Sequence, residues 1–187
     1  MKNYIDEIVN VLNVGGVILY PTDTVWGLGC DATNKTAVQR LFKIKRRMQD
    51  KSVIVLIKDV ESLKPYVENI SPLFHSLLCE NPMPQSVIFP QVKNLPAGVV
   101  NQNGSGAFRI PKNEFCLTLL ERFKKPLVST SANFSGEKTP CSFEEISDEI
   151  KRKVDRVVDI SFEKGATHQP SQIVLIHLNG VVEILRK

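Results

Sequence analysis

The sequence lacks any apolar run long enough to cross a bilayer. Val53–Ile57 is the longest, with Ile173–Ile176 close behind, whereas a transmembrane helix needs about 20 apolar residues. A secretory leader is not expected either: Asp6 and Glu7 stand where its apolar segment would lie. The chain is expected to be soluble and cytoplasmic, with no membrane contact. Cysteine is sparse, at Cys30, Cys79, Cys116 and Cys141, with no Cys-x-x-Cys pair. That spacing argues against a disulfide framework and a zinc site, and leaves unpaired structural thiols. His75, His168 and His177 show no metal-ligand spacing; His177 is expected within a strand and the other two on the surface. No G-x-x-x-x-G-K-[ST] sequence is present, which excludes a P-loop kinase. Gly27-Leu28-Gly29-Cys30-Asp31-Ala32 matches the dinucleotide fingerprint by letter, but Pro21–Trp26 separate it from the preceding strand, so a Rossmann site is rejected. A strong charge imbalance is missing too: the net charge of +4 suits contact with nucleotide phosphates without requiring it.

What is present is a core. The 187 residues are 42% hydrophobic, enough for one packed domain, with no repeat, low-complexity tract or linker. Ile5, Ile8, Val9 and Leu12 recur at helical spacing, and Gly15-Gly16 end that helix. Val17–Tyr20 reads as a buried strand stopped by Pro21. Asn34 is placed to cap a helix whose apolar face is Ala37, Val38, Leu41, Phe42 and Ile44. A strand at Val53–Ile57 and a short helix near Val60–Val67 follow. A helix opened by Ser71-Pro72 comes next, with Leu73, Leu77 and Leu78 inward. Strands are expected at Ser86–Phe89, Ala107–Ile110 and Leu127–Thr130. Helices are expected at Phe115–Phe123 and, capped by Ser142, at Phe143–Lys153. Ile173–His177 and Val181–Leu185 close the chain as a hairpin turned by Asn179-Gly180. Alternation first and a hairpin last predict an α+β fold: a twisted mixed sheet flanked by helices.

Four polar segments follow or end these elements: Pro21-Thr22-Asp23-Thr24, Lys45-Arg46-Arg47, Ser129–Gly136 and Pro170-Ser171. Strand ends are where open α/β sheets place ligands. Singly, each has an ordinary structural explanation. A Thr/Asp cluster makes turns and caps, basic residues at a helix C-terminus complement its dipole, and Ser/Asn loops bond their own backbone.

Together the segments resemble the YrdC-like threonylcarbamoyl-AMP synthases. Tyr20-Pro-Thr-Asp-Thr-Val-Trp-Gly-Leu-Gly-Cys-Asp-Ala32 is similar to that family's opening motif, and Lys45-Arg46-Arg47 falls at its Lys-x-Arg. Ser129-Thr-Ser-Ala-Asn-Phe-Ser-Gly136 matches its Ser-x-Asn signature, and Arg109 matches the arginine of its Val-Arg-x-Pro strand. Ser171 matches the serine of its Pro-Ser-Thr element, and Arg186 matches its closing Leu-Arg. Order and approximate spacing hold from Gly15 to Arg186. The resemblance implies one YrdC-like domain over 1–187, the short form without the further domain of longer relatives. Its fold would be YrdC/RibB-like, with a concave basic face. The implied reaction condenses L-threonine, bicarbonate and ATP to threonylcarbamoyl-AMP and pyrophosphate. Downstream threonylcarbamoyl-transferase proteins would then carry the group to tRNA.

The resemblance also implies roles. Lys45 and Arg47 would be catalytic, neutralising the phosphates and carbamate, since attack on the α-phosphate needs concentrated positive charge and placement more than a general base. Ser131, Asn133, Thr139 and Arg186 would contact ATP with them. Thr22, Arg109, Ser129 and Ser171 would hold threonine, Arg109 through its carboxylate. Mg2+ would arrive with ATP, because no acidic cluster marks a protein-held metal site.

Met48 and Ser52 stand where prolines are common in the family, Met83 and Gln85-Ser86 replace a Pro-Gly-Pro-x-Thr run, and Ala107-Phe108 precede Arg109 in place of smaller or β-branched residues. Gln172 follows Ser171 in place of threonine, a change expected to fall beside the amino-acid pocket. Two other readings fit the same letters: a non-catalytic protein binding tRNA or double-stranded RNA, and a related carbamoyl-adenylate synthase with another substrate.

Overall fold

The computed structural model describes residues 2–48, 53–177 and 181–186. Ser52 and the turn residues Asn179 and Gly180 lie outside these. Nine strands form one mixed sheet in the order β7-β1-β2-β6-β3-β5-β4-β8-β9. They are β1 (Ile18–Tyr20), β2 (Gly27–Asp31), β3 (Ile54–Leu56), β4 (Gln85–Phe89), β5 (Gly106–Arg109), β6 (Leu127–Ser131), β7 (Arg156–Val157), β8 (Gln172–Ile176) and β9 (Val182–Arg186). The helices are α1 (Lys2–Asn13), α2 (Lys35–Ile44), α3 (Pro72–Cys79), α4 (Glu114–Phe123) and α5 (Asp148–Lys153). Pairing is parallel for β1–β7, β3–β5 and β4–β8, and antiparallel elsewhere. Among the described residues no helix is long and apolar enough to cross a membrane.

Side chains alternate across strands, and the sheet therefore builds two cores. Val17, Leu19, Leu28, Cys30, Val55, Phe108, Val128 and Val174 face α2, α3 and α5. Ile18, Tyr20, Leu56 and Leu127 face α1 and α4, which pack on each other. Helix ends follow local rules. Asn34 accepts from the Ala37 amide at the start of α2. Gly15, at φ +82°, lets α1 close with bonds from Gly15 N to Leu12 O and from Gly16 N to Val11 O, the αL cap that glycine makes without a Cβ penalty.

Several elements differ from the sequence expectation. The segment near Val60–Val67 holds only a 3-10 turn at Glu61–Leu63. On α3 Leu78 is buried, but Leu73 is exposed. The last helix starts at Asp148, capped by Ser147 rather than Ser142, and Phe143 instead lies against Trp26 at 4.8 Å. His177 sits just past β8, exposed and bonded to Glu183. Cys30 and Cys116 are buried, whereas Cys79 and Cys141 are exposed.

β2 was not expected, and its glycines explain its existence. A Cβ on Gly29 would lie 2.7 Å from Tyr20 Cε1 and 3.0 Å from the Val128 carbonyl oxygen. The Gly-x-Gly of the false fingerprint thus makes room for the Tyr20 ring across the β1–β2 pair. Gly29→Ala is expected to cost about 1–3 kcal/mol, the usual price of overpacking. The urea midpoint would fall accordingly; an unchanged midpoint would mean that Tyr20 moves aside freely.

A candidate anion-binding active site on the sheet

The helices α1 and α4 cover only part of their face of the sheet. By strand alternation Gly27, Ser129, Ile54, Ala107, Ile88 and Ile173 lie on that face beyond them, and these residues line a cavity of about 310 Å³. Ile54 is in register with both Ser129 and Ala107, and Ala107 with Ile88, so the floor is a cross-strand row. Thr22, Thr24, Thr139, Ser171 and Arg186 stand around it with Arg47 and Arg109. Among the described residues the lining contains three arginines and no carboxylate. Guanidinium groups converging on one cavity suit the planar, bidentate recognition of anions.

The loop after β1 supplies one wall. Thr22 Oγ1 donates to the Val25 carbonyl at 2.7 Å and accepts from the Thr24 amide at 3.0 Å. Asp23 is turned away from the cavity: its Oδ1 accepts from Arg109 NH1 at 2.7 Å, and its Oδ2 from the Lys112 amide at 3.0 Å. Both side chains of this ion pair are buried. Arg109 therefore reaches the cavity with part of its fork already fixed from behind. The sequence reading gave Asp23 no role, and its one signal was an acid inside a strand-end loop.

The basic run at the end of α2 divides three ways. Arg46 takes φ 51° and closes the helix, with Arg47 N bonded to Phe42 O and Arg46 N to Lys43 O; its guanidinium points outward to both oxygens of Glu149. Arg47 turns back over the sheet, lines the cavity and meets Thr130 Oγ1 at 3.5 Å. Lys45 does neither. It is 1% exposed, and its ammonium donates to the backbone carbonyls of Ser131 and Asn133, the latter at 2.7 Å. Burial, and then repulsion from Arg47, bring Lys45 down to about 7.

The loop after β6 completes this corner. Ser131 Oγ donates to Asn133 Oδ1 at 2.5 Å, while Asn133 Nδ2 donates to the carbonyls of Phe134 and Glu137. Ser131 lines the cavity; Asn133 has both ends of its amide engaged within its own loop and stands behind the wall with Lys45. The cationic helix end and the Ser/Asn loop, expected to converge, do meet, but through backbone carbonyls.

On the far side, Ser171 Oγ is 2.9 Å from Ser86 Oγ, and Arg186 donates from Nε and NH2 to the Ser171 carbonyl at 3.0 and 2.8 Å. Burial, and next the Arg109 charge, lower the Arg186 pKa. Ser86, fully buried on the cavity face, was noted only as a departure. Gln172 points the other way. It is in register with Gln85, which shares a 3.5 Å contact with it and accepts from Asn81 at 2.9 Å. The two glutamines that depart from the family pattern are thus partners on the opposite face. Of the expected site residues, Thr22, Arg47, Arg109, Ser129, Ser131, Thr139, Ser171 and Arg186 line one cavity; Lys45 and Asn133 do not.

Fold and cavity together define a mixed-sheet protein with an arginine-lined cavity on one face of the sheet. A family model for Sua5/YciO/YrdC, described as Telomere recombination, matches residues 10–187, and the chain belongs to this family. It is 38% identical over 172 residues to a threonylcarbamoyl-AMP synthase of Xanthomonas euvesicatoria pv. vesicatoria (strain 85-10), covering 90% of this chain and 91% of that protein. The P. abyssi Sua5 variant H234A/Y235A superposes with a TM-score of 0.87 at 26% identity, over 97% of this chain. P. abyssi Sua5 complexed with L-threonine superposes with a TM-score of 0.85 at 24% identity, again over 97%. The chain spans 55% and 53% of those two Sua5 chains.

Proposed function

We propose that this chain is a nucleotidyltransferase, an L-threonylcarbamoyladenylate synthase that joins L-threonine, bicarbonate and ATP and releases water and pyrophosphate. The observation that carries this reading is the cavity lined by Arg47, Arg109 and Arg186 together with the hydroxyl side chains of Thr22, Ser131, Thr139 and Ser171, in a family whose 38% identical member bears that name. Arg47, with the hydroxyls of Ser131 and Thr139, would take the polyphosphate. Thr22, Ser129 and Ser171 would surround threonine, and Arg109 would meet its carboxylate. A guanidinium has five N–H donors, so the bonds from Arg109 to Asp23 and Thr24 orient the group without exhausting it.

The carbamate is a weak nucleophile, and the reaction develops charge on the α-phosphate and on departing pyrophosphate. Fixed cations in a confined site stabilise that charge without reorganising, and holding both substrates over one sheet removes much of the entropic barrier. Mg2+ would shield and polarise the phosphates; the lining donors are hydroxyls and guanidinium groups, which suits a metal arriving on ATP. The reading extends to one domain over 1–187, to action in the cytoplasm, and to a product used by downstream transferases on tRNA.

The deciding measurement is pyrophosphate release by the purified chain with ATP and Mg2+. Turnover is expected only when threonine and bicarbonate are both present. Release without threonine, or tight RNA binding with no release, would sink the reading. Gln172→Thr is expected to change the KM for threonine by less than about threefold, because a change away from a site is worth within roughly 0.5 kcal/mol. A tenfold change would place Gln172 in contact with substrate after all.

A further inference from the structure

Among the described residues, the groups around the Lys45 nitrogen are backbone carbonyls and the Arg47 cation. From the end of α2 it faces Arg47, while Arg46 leans away to Glu149. From the loop after β6 it faces the carbonyls of Ser131 and Asn133, and the Ser135 amide returns a 2.9 Å bond to the Lys45 carbonyl. Glu137 and Lys138 of that loop are exposed. The acid of the β1–β2 loop, Asp23, is bonded to Arg109. Glu149 and Lys153 of α5 pair with each other beyond Arg46. A buried ammonium held by two carbonyls is costly to keep charged. It gains most when an anion comes to rest on the other side of the same wall.

We propose that Lys45 is a positioning residue that holds the Ser131–Asn133 turn against the cavity from behind, and that filling the cavity with a polyanion is coupled to proton uptake at its nitrogen. This rests on the reading that ATP occupies the cavity. The link runs through the turn: Ser131 lines the cavity, while its carbonyl is bonded to Lys45 and its hydroxyl to Asn133.

The sign follows from linkage. With the free-state value near 7, Lys45 is mostly protonated at pH 6 and mostly neutral at pH 8. A polyanion raises the value, so uptake is small at pH 6 and approaches most of a proton at pH 8. The Lys45 variants separate this uptake from any at other groups, His168 beside the lining residue Pro170 included. The cavity arginines stay charged throughout this range. The ATP phosphates are drawn by a cationic site to lose protons, not gain them. The thiols of Cys30 and Cys116 are pushed up by burial and are protonated already.

Calorimetric titration of Mg–ATP into the whole chain, in buffers of different ionisation enthalpy at pH 6, 7 and 8, reads the uptake directly. At about 0.8 proton taken up, affinity weakens roughly sixfold per pH unit near pH 8. Lys45→Arg is expected to bind ATP with no uptake and a flat pH profile, and Lys45→Met to bind more weakly, also without uptake. ATP binding by the wild type at pH 8 without uptake, or uptake retained in either variant, overturns the proposal. The wild-type pH series decides the matter even if both variants fail to fold. No ATP binding at any pH would instead overturn the proposed function.

Discussion

Asp23→Ala is expected to remove about 3–5 kcal/mol of folding stability, the usual cost of stranding one half of a buried ion pair. The Asp23 and Arg109 side chains are 5% and 3% exposed, so water cannot replace the lost carboxylate. The same change frees the Lys112 amide, which Asp23 also accepts. Against a total of about 5–15 kcal/mol for an ordinary domain, this brings the chain close to unfolding at 37 °C. Replacing both residues, Asp23→Ala with Arg109→Met, should restore part of the loss, because the second change removes the buried charge that the first leaves bare. Urea denaturation of the two single variants and the double variant closes the cycle. A loss below about 1 kcal/mol for Asp23→Ala would show that the pair is solvated and that Arg109 needs no support from behind. Threonine-dependent turnover should vanish in both single variants, in Arg109→Met because the fork is gone and in Asp23→Ala because it is no longer aimed.

This pair also marks the boundary of what the sequence reveals. α1, α2 and α4 are legible because their apolar residues recur at helical spacing and because Gly15 and Asn34 punctuate them. β2 is not legible. Two of its five residues are glycine, which disfavours a strand in isolation, and only the Tyr20 ring beside Gly29 explains it. The start of α5 is misread for a similar reason: Phe143 looks like the first turn of a helix, but packing on Trp26 claims it. Within the site, motif order brings eight residues to one cavity, since strand-end loops collect wherever the sheet places strand ends. Direction within a motif is another matter. Lys45, Arg46 and Arg47 are adjacent cations in the sequence, and one left-handed residue sends them to a carbonyl pair, to Glu149 and to the cavity. Gln172 follows Ser171 by one position, and the pleat puts it on the other face.

Arg47 should be the most costly single cation to remove for catalysis. Its side chain is half-buried, so Arg47→Ala is expected to change folding stability by about 1 kcal/mol or less. Turnover should nevertheless fall by about 10²–10³, the effect of deleting one preorganised charge-stabilising donor. The loss should appear against ATP rather than threonine, because Arg47 meets Thr130 beside Ser131, whereas Arg109 and Ser171 stand by the opposite loops. Arg47→Lys should recover only part of it, because a point charge does not reproduce a planar fork that can bridge two phosphate oxygens. Arg186 is the contrasting case. Its Nε and NH2 already hold the Ser171 carbonyl, so Arg186→Ala should disturb the KM for threonine together with that for ATP. Pyrophosphate release measured over a matrix of ATP and threonine concentrations separates the two. Turnover by Arg47→Ala within threefold of wild type across that matrix would remove Arg47 from the phosphate site and shift that role to Arg109 and Arg186.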